Sequence, residues 1–347
     1  DDKNQYQLFY NGFRKVSLPV SWLDRPNVSV IDWRIPNKIL EATFRFLKQP
    51  KIDRFFKPDI VFSPHFNLLA LRKNTRRVVL FHDLSPLHYP EFFPWRKRFW
   101  HWQQNLKQQA QESKYLIANS EFTGRDLMGT LGVSEDRVKV IYPGVNTFYQ
   151  KLPHNDPGLQ QFKKKYGLDA PFLLYVGVLE PRKNIGATIK TFNILKTKQK
   201  NRDLKLVIAG SRGWLDNNIF AEASRSLWAN DIKFWGEAKP EHILYLYNAA
   251  RVFVYPSFFE GFGFPPLEAQ RSGLPVVASN RSSLPEILAE SALLVDPWRT
   301  DELTDAVDSL LNDNTLRAML RERGIINAER FKWENAARSF LKVFESI

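Results

Sequence analysis

Short apolar runs, each ending at a polar loop and followed by a segment with helical spacing, recur along all 347 residues and restrict the chain to one fold class. In the second half the runs are residues 172–176, 204–208, 232–235, 252–255, 276–278 and 292–295. Runs of this kind suit parallel strands buried on both faces. Helical spacing lies between or after them, at residues 185–196, 240–250 and 333–347. The first half repeats the pattern, with strands expected at 6–10, 28–31, 59–63, 77–81, 115–118 and 138–142. Its helices are expected at 38–47, at 94–114 and after Ser120, whose hydroxyl suits an N-cap. Alternating strand and helix implies an α/β chain with a doubly wound parallel sheet in each half.

Residues 147–170 are polar and contain Pro153 and Pro157, so the domain linker is placed there. The expected division is 1–150, 151–330, and a terminal amphipathic helix over 331–347. The chain is long enough for two domains, each with its own core. Hydrophobic residues make up 44% and charged residues 25%, which excludes a disordered or fibrous chain. No run approaches the roughly 18 apolar residues of a membrane span. The chain has no cysteine, which excludes disulfides, thiolate metal sites and a thiol nucleophile, and permits a cytoplasmic location. Residues 1–150 hold 23 Lys and Arg against 14 Asp and Glu, a balance of +9 out of the chain's +13. A basic half suits an anionic membrane, nucleic acid or an acidic ligand, and charge alone does not choose among them.

Two stretches carry chemistry. The first is Phe258-Phe259-Glu260-Gly261-Phe262-Gly263-Phe264-Pro265-Pro266-Leu267-Glu268-Ala269-Gln270, which follows the strand 251–256 and opens a helix ending near Gly273. Proline is suited to the first helical position, glycines let a ligand approach the main chain, and a helix N-terminus receives an anion such as a diphosphate. Glu260 is expected on the loop and Glu268 inside the first helical turn, as carboxylate acceptors for sugar and ribose hydroxyls. The second stretch, Val176-Gly177-Val178-Leu179-Glu180-Pro181-Arg182-Lys183-Asn184, closes a strand and opens the next helix. Solvated cations there would be unfavourable beside the positive helix end, so Arg182 and Lys183 call for an anion between them.

In this order the motifs resemble glycosyltransferase family 4, retaining enzymes of GT-B fold, over roughly residues 59 to 340. The resemblance implies two Rossmann-like doubly wound parallel-sheet domains facing a cleft, the second binding a nucleotide sugar, with the terminal helix packing back on the first. It implies that Glu268 binds ribose hydroxyls and that Glu260 lies near the anomeric carbon. The main chain of Phe262, Gly263 and Phe264 then meets sugar hydroxyls, with Leu267 beside them. Lys183 matches the family's basic residue. Many relatives carry arginine directly after the glycine, where this chain has Val178, so Arg182 is expected to join Lys183 on the diphosphate. Gly177, Gly210, Ser211, Trp235 and Gly236, at neighbouring strand ends, are expected to flank the base and phosphates. His82, after the strand 77–81, matches a histidine beside the transferred sugar. His65 and Ser120 are the acceptor-side candidates, Ser120 being equally suited to a bare capping role. Members usually begin with a strand and a glycine-rich loop facing the donor, and that unit is expected to be missing here.

The implied activity is transfer of glucose or mannose, with retention, from a UDP- or GDP-sugar to a glycan or lipid-linked saccharide in polysaccharide biosynthesis. Front-face displacement is favoured over a covalent sugar on a carboxylate. No Asp-x-Asp motif follows a strand, so no catalytic metal is expected, and the nucleotide sugar is substrate rather than cofactor. Arg72, Lys73, Arg76 and Arg77, then residues 95–102, combine cations with large aromatics. These suit peripheral docking on an anionic membrane, as they equally suit aromatics packed inward with arginines solvated. The expected location is cytoplasmic, peripheral on the inner face of the plasma membrane, with no nucleic acid partner. A GT-B nucleotide-sugar epimerase and a basic α/β nucleic-acid-binding protein are the alternatives.

Overall fold

The structure, a computed structural model, describes residues 3–12 and 21–347. Two compact units divide the chain: one takes the sequence up to Leu80 together with Phe99–Leu116, the other takes Phe81–Arg98 together with Ile117–Ile347.

In the first unit, β1 (Tyr6–Asn11) pairs in parallel with β2 (Val28–Trp33), Tyr6 opposite Val28. Residues 1, 2 and 13–20, which bear on the expected absence of a first strand and glycine-rich loop, lie outside the described residues. Leu40, Phe44, Ile52 and Ala70 form the core against β1 and β2, with Phe9 and Trp33 edge to face at 5.1 Å. The helix expected over 38–47 begins as Asn37–Ala42 and continues as a π-helical turn, Thr43–Leu47. β3 (Ile60–Ser63) pairs in parallel with β4 (Arg76–Phe81), Ile60 opposite Arg76. Tyr115–Ala118 is β5, which the unit boundary crosses, and Val138–Val140, in the second unit, is β6.

Two readings of this region change. The single helix expected over 94–114 is two, Trp95–Gln104 and Leu106–Glu112, because Asn105 adopts the left-handed region at φ 48°. Asparagine visits that region more readily than other residues with a side chain. Arg77, grouped with surface cations in the sequence, is buried. Its guanidinium donates to Ser63 Oγ at 3.1 Å, the Asn67 carbonyl at 2.9 Å and Gln109 Oε1 at 2.8 Å. Burial pulls its pKa down to about 10. Arg72 likewise pairs with the buried Asp53 at 2.6 Å.

The second unit carries a six-stranded parallel sheet of order β12-β11-β10-β7-β8-β9. The strands are β7 (Phe172–Val176), β8 (Lys205–Ala209), β9 (Ile232–Gly236), β10 (Val252–Tyr255), β11 (Val276–Ser279) and β12 (Leu293–Val295). Every residue of β10 and β11 is buried, which is why these segments read as continuous apolar runs. Each fully buried Val or Phe among them contributes about 1.5–3 kcal/mol when taken from water. Crossover helices include Ile185–Lys196, Pro240–Ala249 and Phe264–Arg271. The end of the chain forms helix Trp333–Glu345. Among the described residues, no helix is long and apolar enough to cross a membrane.

From β7 the sheet grows one way through β8 and β9 and the other way through β10 and β11 to β12. The winding therefore reverses between β7 and β10. In open α/β sheets such a switch point opens a crevice at the carboxyl ends of the strands, where ligands bind.

Candidate active site

The loops leaving β7 and β10 are the two stretches singled out in the sequence, and they are laced together. After β7 a short 3-10 turn, Pro181–Lys183, leads through Asn184 in the left-handed region into helix Ile185–Lys196. Phe258 N–H, on the other loop, donates to the Arg182 carbonyl at 2.9 Å. Lys183 Nζ donates to Glu260 Oε1 at 2.6 Å and to the Tyr255 hydroxyl at 2.8 Å. Arg182 Nη1 donates to Glu260 Oε2 at 3.2 Å and to the Phe259 carbonyl at 2.7 Å, while Nη2 reaches Glu180 Oε1 at 2.8 Å. Asp83 Oδ2 lies 3.9 Å from Arg182 Nη1.

The anion that the two cations call for is thus supplied here by the protein's own carboxylates. Burial alone would raise the Glu260 pKa, but the Lys183 and Arg182 charges outweigh it and hold that pKa at about 2. Burial lowers the Lys183 pKa, opposed chiefly by Glu260. For Arg182 burial is outweighed by Glu260, Asp83 and Glu180, so its pKa is raised. Breaking one partner out of a buried charged network leaves the others uncompensated, so these groups stand or fall together.

Further contacts fix the Glu260 loop. Glu260 N–H donates to Ser282 Oγ at 2.8 Å, and Ser283 Oγ donates to the Glu260 and Phe262 carbonyls at 3.0 and 2.9 Å. Gly261 packs on the backbone of His82: a Cβ there would lie 1.8 Å from the His82 carbonyl oxygen. The His82 backbone therefore sits beside the Glu260 loop. Ser120 is fully buried, and its hydroxyl donates to the Gly261 carbonyl at 2.8 Å and accepts from Thr123 N–H at 3.1 Å. It caps helix Glu121–Leu131. The same helix N-terminus receives Glu286, whose two oxygens accept from Glu121 and Phe122 N–H at 2.6 and 2.9 Å, a favourable place for negative charge.

Glu268 is the fifth residue of helix Phe264–Arg271, so it lies past the first turn where the sequence placed it. Burial pushes its pKa up to about 7, against a hydrogen bond from the Tyr247 hydroxyl at 3.0 Å. Gly263 opens the helix at φ 111°, a region that favours glycine. Phe262 is buried with its ring on Phe331, Phe264 is partly exposed, and Leu267 is in the core, leaving only its backbone for a ligand.

Gly177, Gly210 and Gly236 end three neighbouring strands, Gly177 N–H donating to the Ala209 carbonyl and Gly210 N–H to the Gly236 carbonyl. A Cβ on Gly210 would lie 1.9 Å from the Gly177 carbonyl oxygen, so the approach admits no side chain. Ser211 continues this edge, its carbonyl accepting from Leu179 N–H at 3.0 Å. Trp235 turns its ring onto Phe162 and Tyr166. His65 belongs to the first unit, against Phe66 at 4.0 Å, lining a cavity of about 650 Å³ with Asn11, Glu41 and Asn67.

Sequence reasoning missed Glu180, Asp83, Tyr255, Ser282, Ser283 and Glu286. A carboxylate directly before Pro181-Arg182-Lys183 was a usable signal for Glu180. The serines, 22 or more residues from Glu260, had none. Among the described residues, no group of three or more His, Asp or Glu side chains is arranged to hold a metal ion.

Residues 9–148 match the family described as Glycosyltransferase Family 4, and residues 159–326 match Glycosyl transferases group 1. The O-antigen chain mannosyltransferase B of Escherichia coli is 31% identical over 295 residues, covering 85% of this chain and 76% of that protein. Three further E. coli mannosyltransferases are longer, and the chain spans about a third of their length. Among solved structures, a sucrose-phosphate synthase from Thermosynechococcus elongatus superposes with a TM-score of 0.77 at 19% identity, over 98% of this chain and 88% of that one. Anabaena HepE, solved with UDP-glucose, gives 0.73 at 17% identity over 99% and 100%. The structural likeness shows the GT-B fold, and with the matches over both halves the chain belongs to glycosyltransferase family 4.

Proposed function

We propose that this glycosyltransferase moves a hexose, mannose or glucose, with retention from a UDP- or GDP-sugar to a glycan or lipid-linked saccharide in polysaccharide biosynthesis. The observation that carries the reading is the meeting of Arg182, Lys183 and Glu260 at the switch point, with Glu268 on the helix that follows. The relative named for a mannosyltransferase supports mannose, and the fold neighbour solved with UDP-glucose supports a nucleotide-sugar donor.

In this reading Arg182 and Lys183 keep their contact with Glu260 and also face the diphosphate, whose charge grows as the glycosidic bond breaks. Fixed cations aimed at that charge lower the barrier electrostatically, and the step is proposed without a metal. Glu260, with its pKa near 2, is too weak a base to take the acceptor proton at neutral pH. It serves as a constant negative charge beside the electron-poor anomeric carbon, held in place by Lys183. The leaving phosphate oxygen takes the acceptor proton on the same face, which preserves the configuration. Glu268 accepts hydrogen bonds from the ribose hydroxyls, and His82 lies beside the transferred sugar. A lipid-linked acceptor would place the protein in the cytoplasm, peripheral on the inner face of the plasma membrane.

Calorimetric titration with UDP, GDP, ADP and their sugars, repeated on Glu268→Ala and Lys183→Ala, tests the reading. Tight binding of one nucleotide, lost in both variants, identifies the donor class. Equal binding by the variants would remove the assigned site.

A further inference from the structure

Helix Trp95–Gln104 has its aromatic residues on two opposed faces. At 3.6 residues per turn, Trp95, Phe99 and Trp102 fall at i, i+4 and i+7 within a narrow arc. All three point outward, 70%, 53% and 61% exposed. The opposite face is the one that packs. Lys97 Nζ sits 3.3 Å from the centre of the Trp214 ring, His101 lies against Phe66, and Gln104 is buried with its Oε1 accepting from Leu68 N–H at 2.7 Å. The aromatic stripe is therefore left over after the helix has satisfied its core.

Cations frame the stripe. The Arg96 guanidinium lies over Trp95 and that of Arg45 over Trp102, each 5.3 Å from the ring centre, and Phe99 stacks on Trp102 at 5.7 Å. Arg98 is exposed beside it, and the helix carries no acidic residue. Water is a poor solvent for three adjacent large rings, and a protein partner of ordinary acidic character would not explain their indole content. Tryptophan and arginine together match the boundary between headgroups and acyl chains, where the rings enter the apolar layer and the guanidinium groups stay with phosphate.

We propose that this helix face docks the protein on an anionic phospholipid surface, with Trp95, Phe99 and Trp102 inserted and Arg45, Arg96 and Arg98 against the headgroups. The proposal deepens the lipid-linked acceptor reading, yet lipid binding and donor binding are measured separately. The basic cluster around Arg72 to Arg77 contributes less than its sequence suggests, since Arg77 is buried and Arg72 is paired.

The test is flotation of the whole chain with vesicles of phosphatidylcholine, with and without phosphatidylglycerol, together with sedimentation velocity and nucleotide titration. Binding is expected to the anionic vesicles, weakened by salt, with tryptophan emission shifted to the blue. Trp95→Ser with Trp102→Ser should weaken it by about tenfold or more, and Arg96→Gln with Arg98→Gln should reduce both the affinity and its salt dependence. Nucleotide affinity should not move in either variant, which also shows that they fold. Equal vesicle binding by the variants would overturn the proposal. So would no binding by the parent chain, or a self-association that the aromatic variant abolishes, which would make the face a contact between copies. Vesicle binding with no nucleotide affinity would sink the transferase reading and leave the docking surface standing.

Discussion

Glu260 and Glu268 are the same residue type on the two sides of one turn, and the protein gives them opposite electrostatic surroundings. Glu260 is surrounded by Lys183, Arg182 and the hydroxyl-anchored loop, and its pKa is held at about 2. Glu268 accepts a hydrogen bond from the Tyr247 phenol, and burial raises its pKa to about 7. Spacing alone makes the two look interchangeable. Their neighbours make one a permanent charge and the other an acceptor whose ionisation a ligand can change.

The largest expected effect comes from removing the permanent charge. Glu260→Gln leaves Arg182 and Lys183 without their shared partner in a buried site. Loss of one member of such a network costs about 3–5 kcal/mol, read as a lowered denaturant midpoint. The rate of transfer should fall by about a hundredfold or more, the size seen when an aimed electrostatic group is lost. Because the depressed pKa stabilises the fold, this contribution is complete above the unfolded value near 4.5 and is lost as pH falls toward 2. Lys183→Met should cost a similar amount. The double variant should cost far less than the sum, and strict additivity would deny the coupling.

Glu268 should behave in the reverse sense. Its folded pKa is raised, so the native state binds the proton more tightly than the unfolded chain and stability falls as pH rises from 4.5 to 7. The shift corresponds to a penalty on the order of 3 kcal/mol above pH 7. Glu268→Gln should therefore raise the melting temperature at pH 8 and change it little at pH 4. The same substitution should weaken nucleotide binding at pH 8 by about tenfold, since a charged acceptor makes the stronger hydrogen bond. Stability independent of pH in the parent would remove the contrast.

Nucleotide affinity should itself follow this titration. If the ribose hydroxyls need the carboxylate, affinity rises as pH climbs through 7, by up to about tenfold per unit below the pKa, with a proton released on binding. Calorimetry in two buffers of different ionisation enthalpy reads that proton directly. Glu268→Gln should flatten the profile, whereas a slope that survives the substitution belongs to another group.

The contrast also marks how far the sequence could be read. β7, β8, β10 and β11 were visible because they are almost wholly buried and read as apolar runs, and the two loops were visible because Pro, Gly, Glu and paired cations mark strand-to-helix turns. What the residues around Glu260 do to its charge was not visible. Arg182 and Lys183 were placed on a diphosphate, yet in the structure both are partnered by Glu260, a pairing across 77 or more residues that no local pattern encodes. The break at Asn105 was missed for the opposite reason. Apolar spacing continues through it, and a single left-handed residue ends the helix without a glycine or proline to announce it.

The smallest effects expected are in the serines that hold the Glu260 loop from behind. Ser283 is fully buried and its one hydroxyl faces two carbonyls, those of Glu260 and Phe262. Ser283→Ala leaves both without that donor in a dry site, at about 1–3 kcal/mol. Ser282 has an exposed hydroxyl facing the Glu260 N–H, and it sits in the left-handed region at φ 55°. There Ser282→Gly removes one hydrogen bond but relieves backbone strain, so its net effect on melting should stay within about 1 kcal/mol. The two variants differ in what they release. Freed of Ser283, the loop can shift the Glu260 carboxylate away from Lys183 without changing any charged residue. Ser283→Ala should then lower kcat more than it changes the apparent donor affinity, and should raise the pH at which acid begins to unfold the protein. A Ser283→Ala variant less stable by the expected amount, with kcat intact, would show that the ion pair holds the loop unaided.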